Sequence, residues 1–141
     1  MICLLDINVL IALVDPNHEF HQKVRAWFIS GDLDVWTTCP LTENGVIRIL
    51  GQGAYTNFSG GPAEARDLVK LLVNSPRHQF WADEISICDG KQFPKLGASK
   101  HLTDMYLLGL ALHHSAKLAT LDQKIDPDLV PRGGEGLLII S

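Results

Sequence analysis

The chain opens on an unbroken apolar run, Ile2-Cys3-Leu4-Leu5, that stops at Asp6. A run without polar alternation suits a strand buried on both faces, as in a parallel sheet with helices on either side. Residues 8–14 predict a short helical turn, and Asp15 or Asn17 is placed to cap a longer helix behind it. In that helix Phe20, Val24, Trp27 and Phe28 fall at offsets 0, 4, 7 and 8, one apolar stripe, and Gly31 closes it. Val35-Trp36-Thr37 reads as a second strand, and residues 41–50 return to helix. A Gly-rich loop, residues 52–61, leads to Pro62, which suits a first helical turn. Ala65, Leu68, Val69 and Leu72 then repeat at offsets 0, 3, 4 and 7. Gln79-Phe80-Trp81 predicts a third strand, and Ile85-Ser86-Ile87 a further short extended segment. Residues 89–100 are a polar loop, Leu102 to His114 a very apolar helix, and Lys117–Leu121 and Leu137–Ile140 the last two strands. Strands alternating with helices predict an α/β chain: a three-layer α/β/α sandwich around a central, mainly parallel five-stranded sheet.

At 141 residues the chain has room for one ordinary domain, so residues 1–141 are expected to form a single unit. An apolar share of 46% against 20% charged residues is globular and excludes a disordered tail or a charge-rich coiled coil. No run of 18 uncharged apolar residues occurs, which excludes a membrane-spanning helix. The apolar N-terminus is interrupted by Asp6 and Asn8 and lacks a basic leader, unlike a signal peptide. Three cysteines with no paired motif read as reduced thiols, and hence as a cytoplasmic location, not as a disulfide frame or zinc site. The six histidines make no ligand pattern, and Trp27, Trp36 and Trp81 suit the core better than a base-stacking platform.

In a parallel sheet the loops leaving the strands open on one edge, where ligands bind. Asp6 follows the first strand and Asp122 follows the Lys117–Leu121 strand, so both reach that edge. Glu43 lies early in the helix after the second strand, with Thr42 as its cap. Asp104 lies early in the helix that leads back into the fourth strand, with Thr103 as its cap. Topology therefore brings four carboxylates from four distant segments to one edge. A lone Asp at a strand end is explained by turn formation, and Glu43 or Asp104 by helix-end electrostatics. Asp6 is different, because it interrupts an apolar run and would be costly to bury bare. Crowded carboxylates raise each other's pKa unless a cation compensates, and an all-oxygen set selects Mg²⁺ or Mn²⁺ over zinc. Such an ion activates water and stabilises charge on a phosphoryl group.

Four segments carry a resemblance. Leu4-Leu5-Asp6-Ile7-Asn8-Val9-Leu10, Thr42-Glu43-Asn44-Gly45, Leu102-Thr103-Asp104 and Ala119-Thr120-Leu121-Asp122 resemble, in order, the motifs of PIN-domain ribonucleases. More narrowly they resemble the VapC toxins of bacterial toxin–antitoxin pairs. The resemblance covers nearly the whole chain. It implies a PIN-like sandwich and a Mg²⁺/Mn²⁺-dependent endoribonuclease that restrains translation. Asp6, Glu43, Asp104 and Asp122 would be its acidic quartet. Asp6, Asp104 and Asp122 would hold the principal metal, with Glu43 opposite, holding a second ion or orienting the attacking water. Asn8 and Thr120 match polar positions beside the quartet that hydrogen-bond carboxylates or water; an ordinary turn Asn and strand Thr are the alternative. The resemblance also implies a VapB-type antitoxin as partner and a homodimer, for which the apolar first helices are a candidate interface.

Formal net charge is −4, without the basic footprint of a general nucleic-acid coat, and setting aside the quartet leaves a balance of zero. Attraction for RNA must then be local. Lys91, Lys95 and Lys100 lie in the polar loop just before Asp104 and are candidate phosphate contacts, unless that loop is merely solvated. Arg48 and Lys124 are weaker candidates. Two rival functions fit some of these features. Haloacid-dehalogenase-type phosphatases also place an Asp after their first strand, but they need an acid two residues later, where Asn8 stands. The other rival is a PIN-like RNA-binding module that does not cut.

Overall fold

The computed structural model describes residues 1–141. Its strands are β1 (Ile2–Leu5), β2 (Val35–Thr38), β3 (His78–Phe80), β4 (Lys117–Thr120) and β5 (Leu137–Ile139). They form one sheet in the order β3-β2-β1-β4-β5, with every neighbouring pair parallel. The helices are α1 (Ile7–Val14), α2 (His21–Phe28), α3 (Pro40–Leu50), α4 (Pro62–Val73), α5 (Leu102–His113) and the single turn α6 (Gly133–Gly136).

Alternation along β1 explains the three layers. Cys3 and Leu5 point into one core with Trp36, Ala119 and residues of α1 to α4. Leu4 points the other way, into a second core with Leu118 and the α5 residues Leu107, Leu108, Leu110 and Ala111. Each of these side chains is fully buried, and truncating a leucine of this kind to alanine costs about 2–5 kcal/mol. Burial on both faces is why β1 carries no polar residue before Asp6.

Several local expectations change. The stop after the first apolar run is sharper than expected: Asp6 itself caps α1, its carboxylate accepting the Ile7 N–H at 2.7 Å. Asp15 does not begin α2. It closes α1, and its buried carboxylate is drawn away by Tyr55, by the Asn57 amide at 2.9 Å and by the Asn17 N–H at 2.9 Å, leaving Phe20 at the start of α2 without a side-chain cap. Ile29, not Gly31, ends α2. Likewise α5 starts from His101, and Thr103 lies inside its first turn instead of capping it. Thr42 does act at the start of α3, its hydroxyl accepting the Cys39 N–H at 3.0 Å. β3 begins one residue earlier than expected, at His78, and residues 85–87 form no strand.

Within α1, Val9, Leu10, Ile11 and Ala12 are buried inside the chain, while Ile7, Leu13 and Val14 are half-buried, as are Trp27 and Phe28 of α2. No helix is long and apolar enough to cross a membrane.

Candidate active site

Sheet register brings the chemistry to one edge. Leu5 pairs with Ala119, so the next residues outward, Asp6 and Thr120, are neighbours; the Asp6 N–H donates to the Ala119 carbonyl at 3.0 Å. Asp6 is only 4% exposed, and its carboxylate is correspondingly well supplied with donors. Oδ1 accepts the Ile7 N–H, while Oδ2 accepts the Thr120 hydroxyl at 2.7 Å and the Asn8 amide at 3.4 Å. Asn8 also donates to Thr120 Oγ1 at 3.2 Å, and its own oxygen accepts the Leu121 N–H at 3.1 Å. Thr120 Oγ1 in turn accepts the Asp122 N–H at 3.1 Å. Asn8 and Thr120 thus tie the end of β1 to the turn after β4, and they fix both the Asp6 side chain and the Asp122 backbone.

Burial pushes the Asp6 carboxyl above its ordinary range, its hydrogen bonds from Thr120 and Ile7 pull it back, and the charge of Asp122 pushes it up again. Asp104, in the first turn of α5, is pushed up to about 6, first by burial and then by the charges of Asp6 and Asp122, with His101 opposing. Three carboxylates therefore feel one another electrostatically. The Asp104 carboxylate accepts no hydrogen bond from the chain. Asp122 uses Oδ1 to accept the Lys124 N–H at 2.8 Å. No lysine or arginine forms an ion pair with any of the three; the chain's ion pairs join Met1 to Asp34, His113 and His114 to Glu84, and Arg132 to Glu135.

Glu43 stands apart in a different setting. It is in the first turn of α3, after β2, and β2 and β4 flank β1 on opposite sides. Their ends are two strand spacings apart, about 10 Å. The Thr38 hydroxyl donates to Glu43 Oε2 at 2.6 Å, and the same hydroxyl lies 2.8 Å from His78 Nε2. Burial holds the His78 imidazole below its ordinary pKa, with Glu43 opposing. Thr38 and His78 were not legible in the sequence. Their meeting depends on the pairing of β2 with β3, where Trp36 lies opposite His78, and nothing in either segment alone announces that register.

The edge is open instead of pocketed. The cavities of the molecule are lined by other residues, and no three His, Cys, Asp or Glu side chains close on one point at metal-coordination distance. The donor chemistry nevertheless suits a hard divalent cation: three carboxylates that feel one another's charge, no lysine or arginine paired with them, and an unengaged carboxylate on Asp104.

The basic candidates divide. Lys100 lies in the 3-10 turn Ser99–His101 that leads into α5, four residues before Asp104. Lys91 lines a cavity of about 250 Å³ with His113 and Arg132. His113 is nine residues beyond Asp104 along α5, about 13 Å at the helical rise, so Lys91 does not sit beside the acidic edge as expected. Lys95, between them, is exposed. Arg48 is exposed on α3, and five residues from Glu43 turn it about 140° around the helix axis. The two buried cysteines carry no reactive signature: burial pushes the Cys3 and Cys39 thiols up to about 11, which keeps them protonated.

The PIN domain family matches residues 3–126, and thus every segment that builds this edge. Ribonuclease VapC44 of Mycobacterium tuberculosis is 39% identical over 134 residues, covering 93% of each chain. Ribonuclease VapC39 of the same organism is 35% identical over 124 residues, covering 86% of this chain and 89% of its own. Ribonuclease VapC29 is 38% identical over 125 residues, covering 86% of both. With an all-parallel five-stranded sheet between helical layers, and with this similarity along most of its length, the chain belongs to the PIN domain family, among its VapC ribonucleases.

Proposed function

We propose that this chain is a Mg²⁺- or Mn²⁺-dependent endoribonuclease, the toxin of a VapBC-type pair, which restrains translation by cutting RNA. The observation that carries the reading is the trio of Asp6, Asp104 and Asp122, which crowds negative charge at the sheet edge with no lysine or arginine ion-paired to it. Kinship with the VapC ribonucleases supplies the reaction class.

Asp6, Asp104 and Asp122 would hold the ion, with Glu43 on the far side of β1. A divalent cation bound there supplies a Lewis acid for the phosphoryl oxygen and an acidified water for in-line attack. The chain's own part is positional. Thr120 and Asn8 fix the Asp6 carboxylate, and the Asn8 oxygen holds the Leu121 N–H that shapes the turn before Asp122. Glu43, at the start of α3, is held by Thr38 with one oxygen and has the other to orient a water. Lys100 lies where it can meet a phosphate of the strand entering the site. The acidic edge also suits the Arg side chain of a VapB-type antitoxin as a blocking group.

The test is incubation of purified protein with mixed RNA in Mg²⁺, in Mn²⁺ and in EDTA, beside Asp6→Asn. Metal-dependent cleavage that the variant lacks supports the proposal. Hydrolysis of a small phosphate ester without RNA cleavage would instead favour the phosphatase, and RNA binding without cleavage the non-cutting module.

A further inference from the structure

The hydroxyl of Thr38 touches two polar partners, and it carries only one proton. A carboxylate can only accept, so the 2.6 Å contact with Glu43 Oε2 takes that proton. The 2.8 Å contact between the same oxygen and His78 Nε2 is then a hydrogen bond only if the imidazole supplies its own N–H. Thr38 is fully buried, which leaves no room for solvent to substitute for either partner. The ring is held from its side as well: its centroid lies 4.5 Å from that of Trp36, the residue opposite His78 in the β2–β3 register. Direction of donation therefore runs one way, from His78 Nε2–H to Thr38 Oγ1, and from Thr38 O–H to Glu43.

We infer that His78 is a positioning residue for Glu43, acting through the Thr38 hydroxyl to fix the carboxylate in one orientation at the cutting edge. His78 lies on β3, two strands from Asp6 and 35 residues beyond Glu43 in the sequence. Its side chain contacts Thr38 and Trp36 and makes no contact of its own with Glu43. Its Nε2–H leaves Thr38 only Glu43 for its proton, so the glutamate keeps one oxygen anchored while the other makes no hydrogen bond within the chain. Without His78 the Thr38 oxygen loses the donor that holds it in place, and the anchor on Glu43 weakens. Partners of this outer kind are worth about 10–100-fold in activity at sites of this chemistry.

The inference rests on the ribonuclease reading for its effect on rate, but its geometry can be read without RNA or metal. ¹⁵N-labelled imidazole NMR on the metal-free chain should show His78 as the Nε2–H tautomer, with that proton protected from exchange and its signal shifted in Thr38→Val. A ring protonated at Nδ1 alone overturns the inference. In RNA cleavage, His78→Phe keeps the aromatic contact with Trp36 but removes the donor. It should lower kcat about 10-fold or more with KM within about 2-fold. Thr38→Val should do the same, and the double variant should be no worse than either single one. His78→Gln, whose amide nitrogen can stand where Nε2 stood, should recover most of the rate and covers the case in which His78→Phe does not fold. Full activity in His78→Phe, additive losses, or failure of His78→Gln to recover rate in a folded protein would each overturn it. An unmutated chain that cuts no RNA would overturn the functional reading instead, and the tautomer would still decide the geometry.

Discussion

Replacing Asp104 by asparagine separates the charge of that side chain from its shape. In the folded chain the Asp104 carboxyl titrates at about 6, against 3.8 unperturbed. An acid whose pKa is raised by folding leaves the folded state unpenalised below the unfolded value. As pH climbs from 3.8 towards 6, the unfolded chain gives up the proton while the folded chain keeps it, and stability falls; above 6 the loss is complete. A shift of this size corresponds to about 3 kcal/mol as an upper bound. Asp104 is only half-buried, and solvent screening reduces the expected penalty to about 1–2 kcal/mol. Asp104→Asn removes it, so the metal-free variant should be about 1–2 kcal/mol more stable than the parent at pH 8, a rise of roughly 3–8 °C in Tm for a chain of this size. At pH 4 the two should unfold together. Thermal unfolding in EDTA at both pH values is the assay, with RNA cleavage expected to be lost in the same variant. A variant destabilised at pH 8, or one whose gain is equal at pH 4 and pH 8, would refute the idea that carboxylate crowding strains this edge.

Other outcomes follow from the same geometry. Thr120→Val takes from buried Asp6 its closest side-chain donor and should cost about 1.5–3 kcal/mol in urea unfolding at pH 8, with a smaller cost at pH 4, where the carboxyl is closer to neutral. Lys100→Glu should raise KM for RNA several-fold and flatten its salt dependence by about 0.7 in log–log slope for a lost single-strand contact. Lys91→Glu, placed towards the other end of α5, should leave both unchanged.

What could be read from the sequence was whatever depends on periodicity and chain direction. The polar break at Asp6 after four apolar residues gave the end of a doubly buried strand. Direction of travel through a parallel sheet then placed Asp104 and Asp122 at the same edge, where the structure has their charges in mutual reach. What could not be read depends on lateral register and on competition between partners. His78 meets Thr38 only because of how β2 and β3 align. Asp15 looks like a helix cap until Tyr55 and Asn57, some forty residues away, are seen to claim its carboxylate. Three of the four residues of α6 are glycine, so nothing in the segment itself announces a helix. Gly133 lies against the Pro127 carbonyl, and Gly136 lies within 2.7 Å of the Leu112 side chain at the position a Cβ would take, so close packing outweighs the poor helix propensity of glycine.

The account stands on residues 6, 104 and 122 sharing one ion. Crystals grown with Mn²⁺ and measured at its absorption edge test this directly. The prediction is a single strong anomalous peak in contact with the carboxylates of Asp6, Asp104 and Asp122, absent when Asp6→Asn is treated in the same way. A peak on other residues, or none at Mn²⁺ concentrations that support cleavage, would contradict it.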